Sequence, residues 1–165
     1  MFTRQQAVDL WHSDDLIGIG VEADRHRKQL NPEPIVTYSV EPDEACIEYT
    51  FLRAQPIEQR LDALDEIKQK ENATAFRPLV EPSATGVEYL KMLALSRLYL
   101  DDVQHLEGSW QIFGLKVAQI SLSFGADDLG TAERGASEEE LRRLIREAGY
   151  VPKQRDALFR TYSTR

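Results

Sequence analysis

The sequence predicts an α/β protein: a partial (β/α) barrel of three to five strands with flanking amino- and carboxy-terminal helices. Three observations carry that reading. From residue 46 onward, short β-branched and aromatic runs alternate with segments of helical periodicity, the pattern of βα units around a parallel sheet. The chain has 165 residues, whereas eight such units take roughly 250, so a complete barrel does not fit. Capping boxes, in which a Ser or Thr is followed three residues later by Glu, mark the helix starts at Thr85/Glu88 and Ser137/Glu140. The whole reads as one domain. Residues 1–40 form a helical lead-in and first strand, 46–128 the partial barrel, and 137–165 a terminal helix and tail.

Each element has a local reason. Ser13 before Asp14 and Asp15 is the expected N-cap of a first helix, with acids where the helix dipole favours them. Positions 16, 20, 23, 27 and 30 continue it at helical spacing, Arg27 lying along the stripe by its stem. The Asn31-Pro32-Glu33-Pro34 stretch ends it. IVTYSV (35–40) and CIEYTFL (46–52) have strand composition, with EPDEA (41–45) as the turn between them. Ile57, Leu61, Leu64 and Ile67 form one helix face. AFRPLV (75–80) is a strand candidate weakened by Pro78. A helix follows to about Tyr99. VQHLEGSW (103–110) reads as a strand, GLKVAQISLSF (114–124) as a mostly buried helix and GADDLGTAERGA (125–136) as the longest loop. Leu141, Leu144, Ile145 and Ala148 line the last helix, which Gly149 and Pro152 stop. KQRD (153–156) reads as a salt-bridged tail docked on the domain.

Composition narrows the function classes. The net charge of −8 argues against nucleic acid and anionic membrane as partners, since both need a basic surface. No apolar run approaches the roughly 20 residues of a membrane span. A single cysteine, Cys46, gives no disulfide framework and fits a cytoplasmic protein. No Gly-rich phosphate loop, zinc spacing or nucleophile elbow appears.

The order ATGVEYLKMLALSRLYLDD, GSWQIFGLKVAQISLSFGADDLG, SEEELRRLIREAGYVPKQRDALF over residues 84–160 resembles the carboxy-terminal part of the radical S-adenosylmethionine enzymes of futalosine-dependent menaquinone biosynthesis, above all dehypoxanthine futalosine cyclase. HSDDLIGIGVEADRHRKQLNPEPIVTY (12–38) is similar to the segment leading into that family's first barrel strand. IEYTFLRAQPIEQRLDAL (47–64) is similar to its sixth strand and following helix. The family holds a [4Fe–4S] cluster on a CxxxCxxC triplet, and where the family continues into that loop and about five βα units this chain has SVEPDEAC. One thiolate cannot hold the cluster, so no iron–sulfur cofactor is expected and the family's radical activity is not carried over. What the resemblance does carry is the substrate end. Ser109 and Trp110 fall on the last strand, and Asp127 and Asp128 stand where the family usually has Asn-Asp. These four are candidate residues for a nucleoside-like ligand.

Alternation along VQHLEGSW places His105, Glu107 and Ser109 on one strand face and Leu106, Gly108 and Trp110 on the other. His105 and Glu107 are therefore candidate acid–base groups, with a polar edge-strand face as the plainer explanation. Cys46 reads as a buried strand residue.

Strands cut from a closed barrel expose two edges and an apolar inner face. At roughly 25 cal/mol per Å², several hundred Å² of uncovered apolar surface costs on the order of 10 kcal/mol. Either the replacement strand at 46–52 and the amino-terminal helices fold over it or a second copy does; a homodimer that brings two sheets or inner faces together is the favoured expectation. The functional expectation is a non-catalytic, cluster-less homologue that binds a nucleoside-like ligand or assembles with a full-length pathway enzyme. The alternatives are a small non-radical enzyme using His105, Glu107 and the Asp127-Asp128 loop, or a deletion product without selected function.

Overall fold

The computed structural model describes residues 1–42 and 46–161. Its elements run α1 (Arg4–His12), α2 (Leu16–Leu30), β1 (Ile35–Ser39), β2 (Cys46–Phe51), α3 (Ile57–Lys68), β3 (Ala75–Val80), α4 (Gly86–Tyr99), β4 (His105–Leu106), α5 (Gly114–Ser121), β5 (Asp128–Thr131), α6 (Glu138–Glu147) and β6 (Val151–Gln154). Among the described residues all four inter-strand ladders are parallel, and the strands form two three-stranded sheets, β5-β1-β6 and β2-β3-β4. A parallel bridge between Glu107 and Asp128 joins them, reinforced where the Gly108 N–H donates to Asp128 O at 2.8 Å and the Asp127 N–H to Leu106 O at 3.0 Å. The result is one curved, open sheet in the order β2-β3-β4-β5-β1-β6, a partial barrel as the alternation predicts. No helix among the described residues is long and apolar enough to cross a membrane.

The expected capping boxes are present at Thr85/Glu88 and Ser137/Glu140, and Ile57, Leu61, Leu64 and Ile67 are all buried. Several local expectations need correction. Thr3 and Gln6 form a further capping box that starts an earlier helix; Ser13 closes that helix as its C-cap, and Asp15 caps the next one. The strand expected over 103–110 shrinks to His105–Leu106, with Glu107 continuing it only as a bridge to Asp128 and a turn following at 111–113. The helix at 114 is amphipathic, burying only Ala118 and Ser121. The expected 125–136 loop contains β5, and the tail after α6 contains β6. Of the EPDEA turn, residues 43–45 lie outside the described residues. Cys46 is half-buried.

Pro78 in a central strand has a backbone explanation. The His105 N–H donates to Thr74 O and the Glu107 N–H to Phe76 O, while the Glu81 N–H donates to Phe51 O. Even-numbered β3 residues therefore face β4 and odd-numbered ones face β2. Pro78 faces the β4 side beyond the end of that short ladder, where no donor is needed.

The apolar core lies outside the sheet. Val36, Tyr38, Phe51, Phe76, Leu106 and Leu129 are buried with Leu61, Leu64, Leu93, Leu95, Leu141 and Ile145 of the helices. α4 is the central helix, buried along nearly its whole length from Tyr89 to Tyr99.

Candidate functional site

The inner face of the sheet is not apolar. The registers Glu48↔Arg77 and Thr37↔Asp128, with the Glu107↔Asp128 bridge, put charged or hydroxyl side chains side by side across adjacent strands. Arg77 lies between two carboxylates: Nη1 donates to Glu48 Oε1 at 3.0 Å, and Nε and Nη2 to Glu107, the latter at 3.0 Å. Arg155, just past β6 and fully buried, clasps Asp128 with Nε and Nη2, the second bond at 2.8 Å. Its Nη2 also lies 3.7 Å from Glu107 Oε1. Thr37 Oγ1 donates to Asp128 Oδ2 at 2.5 Å. The row Glu48, Arg77, Glu107, Arg155, Asp128, Thr37 thus alternates sign along most of its length. Among the described residues this row is charged where an apolar inner face was expected, its three carboxylates paired with two guanidinium groups. Burial raises the Asp128 carboxyl above its ordinary range despite Arg155 and Thr37.

Asp127 belongs to a second cluster. Arg97 of α4 donates Nη2 to Asp127 Oδ1 at 2.9 Å, the Leu106 N–H donates to the same oxygen at 2.7 Å, and His105 Nδ1 lies 2.7 Å from Oδ2. Burial pushes this carboxyl up, but His105 and the Arg97 charge outweigh it and hold it below its ordinary value of 3.8. His105 stacks on Phe159 at 5.2 Å, and the Arg155 guanidinium covers the Phe159 ring at 3.7 Å. The tail therefore closes over the strand beginnings, where a cavity of about 350 Å³ is lined by Thr37, His105, Asp127 and Lys153, among others.

At the opposite end, where the strands finish, lies a cleft of about 200 Å³ lined by Arg77, Glu107, Ser109, Trp110, Gln111 and Glu133, among others. Barrel sites occupy this end. Ser109 is fixed from below: its N–H donates to the Tyr89 hydroxyl at 2.7 Å, and its Oγ accepts from the Gln111 N–H at 3.2 Å. Burial pushes the Tyr89 phenol up to about 12, so it stays neutral. Trp110 lies against the 133–136 turn; a Cβ on Gly135 would come within 3.5 Å of its ring. Gln111 Nε2 donates to Glu133 Oε1 at 3.1 Å. Gly130, at φ +78, must be glycine, since a Cβ would sit 2.6 Å from Glu107 Oε1.

The structure thus divides the sequence candidates. Glu107, Ser109 and Trp110 share the carboxyl-end cleft, Trp110 joining the other two because the chain leaves strand conformation after Leu106. His105 and Asp127 pair at the amino-terminal end, and Asp128 lies in the row beneath the cleft. Arg77, Gln111, Gly130 and Glu133 were not singled out from the sequence. An arginine inside the otherwise apolar AFRPLV was the one available signal.

Parallel strands alternating with helices, and a polar cleft at the carboxyl edge, define an α/β protein of partial-barrel architecture. Residues 67–165 match the CofH/MqnC C-terminal region, and the chain belongs to that family. It is 44% identical over 84 residues to a cyclic dehypoxanthine futalosine synthase of Streptomyces coelicolor, covering 44% of this chain and 21% of that protein. It is 32% identical over 138 residues to an aminodeoxyfutalosine synthase of Thermus thermophilus, covering 64% of this chain and 37% of that protein. It is 36% identical over 97 residues to a 5-amino-6-(D-ribitylamino)uracil–L-tyrosine 4-hydroxyphenyl transferase of Methanothermobacter thermautotrophicus, covering 50% and 26%. The chain spans well under half the length of these relatives. The resemblance to radical S-adenosylmethionine enzymes of the futalosine pathway therefore stands for the carboxy-terminal part. The one cysteine of the sequence, Cys46, lies half-buried on β2 with its Sγ 3.8 Å from the Ile47 carbonyl.

Proposed function

We propose that the chain is a nucleoside-like ligand-binding protein that holds a ring at the carboxyl-end cleft and carries out no radical chemistry of its own. The observation that carries this reading is Trp110 standing beside Ser109, Gln111, Glu133 and the Arg77–Glu107 pair at the strand ends. An aromatic face with convergent polar groups suits a planar ring bearing hydroxyl or amino substituents. At about 200 Å³ the cleft is smaller than the roughly 300 Å³ at which drug-sized pockets begin, so it embraces one ring and leaves the remainder in solvent. Arg77 is already engaged by Glu48 and Glu107, which favours a neutral ligand over an anion.

The relatives named for dehypoxanthine futalosine and aminodeoxyfutalosine chemistry make futalosine-type nucleosides the first compounds to test. In a Trp11→Phe background Trp110 is the sole tryptophan, and its fluorescence reports the cleft directly. Saturable quenching by a dehypoxanthine futalosine nucleoside is expected. Replacing Trp110 with Ala, followed by calorimetry, should weaken binding by about 5- to 150-fold, the worth of one base–aromatic stack. No response to futalosine nucleosides or S-adenosylmethionine at millimolar concentration would refute the ligand reading.

A further inference from the structure

The two outer edges of the sheet are unequally protected. On β6, the Val151 N–H donates to Pro34 O and the Arg155 N–H to Tyr38 O, each at 2.8 Å. Odd-numbered residues therefore face β1, and Pro152 faces outward. The outer edge of β6 thus lacks a donor at its second residue, a common guard against strand addition. On β2, the Glu81 N–H donates to Phe51 O, so Ile47, Tyr49 and Phe51 face β3. The backbone N–H and C=O groups of Glu48 and Thr50 point away from β3, to a side where no strand of the described residues pairs with β2 and where β2 carries no proline. Both residues are exposed, and Leu52 just beyond is 52% exposed.

We infer that β2 is a homodimerisation edge at which two copies pair antiparallel about a twofold axis at Tyr49. The strand is complementary to itself in that register. Glu48 lies opposite Thr50 of the partner, exchanging both backbone hydrogen bonds, and Thr50 opposite Glu48 of the partner does the same. Tyr49 meets Tyr49 of the partner in the closer, non-hydrogen-bonded pair, and Ile47 meets Phe51 of the partner. The alternative with Glu48 opposite its own counterpart sets like charges face to face and is disfavoured. Head-to-tail addition of β2 to the outer edge of β6 meets Pro152 instead of a donor. An isologous pair closes, whereas a heterologous one would run on. The two sheets become one, with an antiparallel junction at its centre.

The test is sedimentation equilibrium from sub-micromolar to hundreds of micromolar. The wild-type chain is expected to dimerise. Thr50→Glu places a carboxylate opposite Glu48 of the partner and should weaken the dimer, whereas Thr50→Lys places an ammonium there and should tighten it. With two symmetry-related pairs, each shift is up to about thirtyfold in the dissociation constant. Thr50 is exposed, so both variants should fold, and circular dichroism checks that they do. Thr50→Pro, which removes only an outward donor, should give a monomer. A wild-type chain monomeric throughout, or Glu and Lys variants shifting dimerisation in the same direction, would overturn the inference. Neither outcome bears on ligand binding at the cleft.

Discussion

Replacing Arg155 with Ala removes the one fully buried cation that holds both Asp128 and Glu107. Asp128 is 0% exposed and Glu107 2%. Among the described residues Asp128 would keep Thr37 Oγ1 and the Gly130 N–H, the latter at 2.7 Å. Stripping one partner from a buried pair costs about 3–5 kcal/mol, because the remaining charge stays desolvated. Loss of the Arg155–Phe159 stack adds to this. Against a whole-domain stability of about 5–15 kcal/mol this is a large share, and at this chain length it lowers the melting temperature by about 6–20 °C. Urea unfolding followed by circular dichroism measures it. The pH dependence gives a second reading. Without the guanidinium the Asp128 carboxyl, already raised by burial, rises further above its unfolded value. A carboxyl raised in the folded state favours folding below the unfolded value of 3.8 and loses that contribution as pH climbs through the folded value. The deficit of the variant should therefore be smaller in mild acid than at neutral pH. Combined with Asp128→Asn, the loss should be less than the sum of the two singles. A loss under about 1 kcal/mol at neutral pH would mean the row carries no buried charge pair.

Asp127 should behave with the opposite sign. Held below 3.8 when folded, it contributes stability that is full above that pH and is lost as pH falls through the folded value. Asp127→Asn should therefore flatten the acid limb of the stability profile, measured as urea midpoint against pH; an unchanged limb would contradict the assigned contacts. Gly130→Ala forces a Cβ to 2.6 Å from Glu107 Oε1 at φ +78 and should cost about 1–3 kcal/mol in thermal unfolding.

The outer half of this fold was legible and the inner half was not, for a physical reason. Helix faces repeat at a spacing that a sequence displays, so Ile57, Leu61, Leu64 and Ile67 and the capping boxes at Thr85 and Ser137 are found where periodicity puts them. Strand exits are decided by tertiary contacts. Gly108 approaches Ser121 and Ala126 so closely that a Cβ would stand 2.0 Å from Ser121 Oγ, and nothing local to VQHLEGSW announces that meeting. β5 is short and largely polar, and its pairing with β1 rests on Asp128 meeting Thr37, a partner 91 residues away. β6 hid behind Pro152, which suggests a stop until its outward direction is known. In the site, Ser109 and Trp110 were readable through resemblance, while Arg77 and Arg155 looked like ordinary charges. Their importance arises only when six strands bring their inner residues into one row.

That row is the central claim, since it explains how an incomplete barrel tolerates an inner face that would otherwise be apolar and exposed. The arginine Nε–H signals of Arg77 and Arg155 test it most directly by nuclear magnetic resonance. Both should exchange slowly with solvent, and that of Arg155 should show contacts to the Phe159 ring, with both signals displaced when Glu107 is replaced by Gln. Rapid exchange at both positions, with no contact to Phe159, would contradict the account.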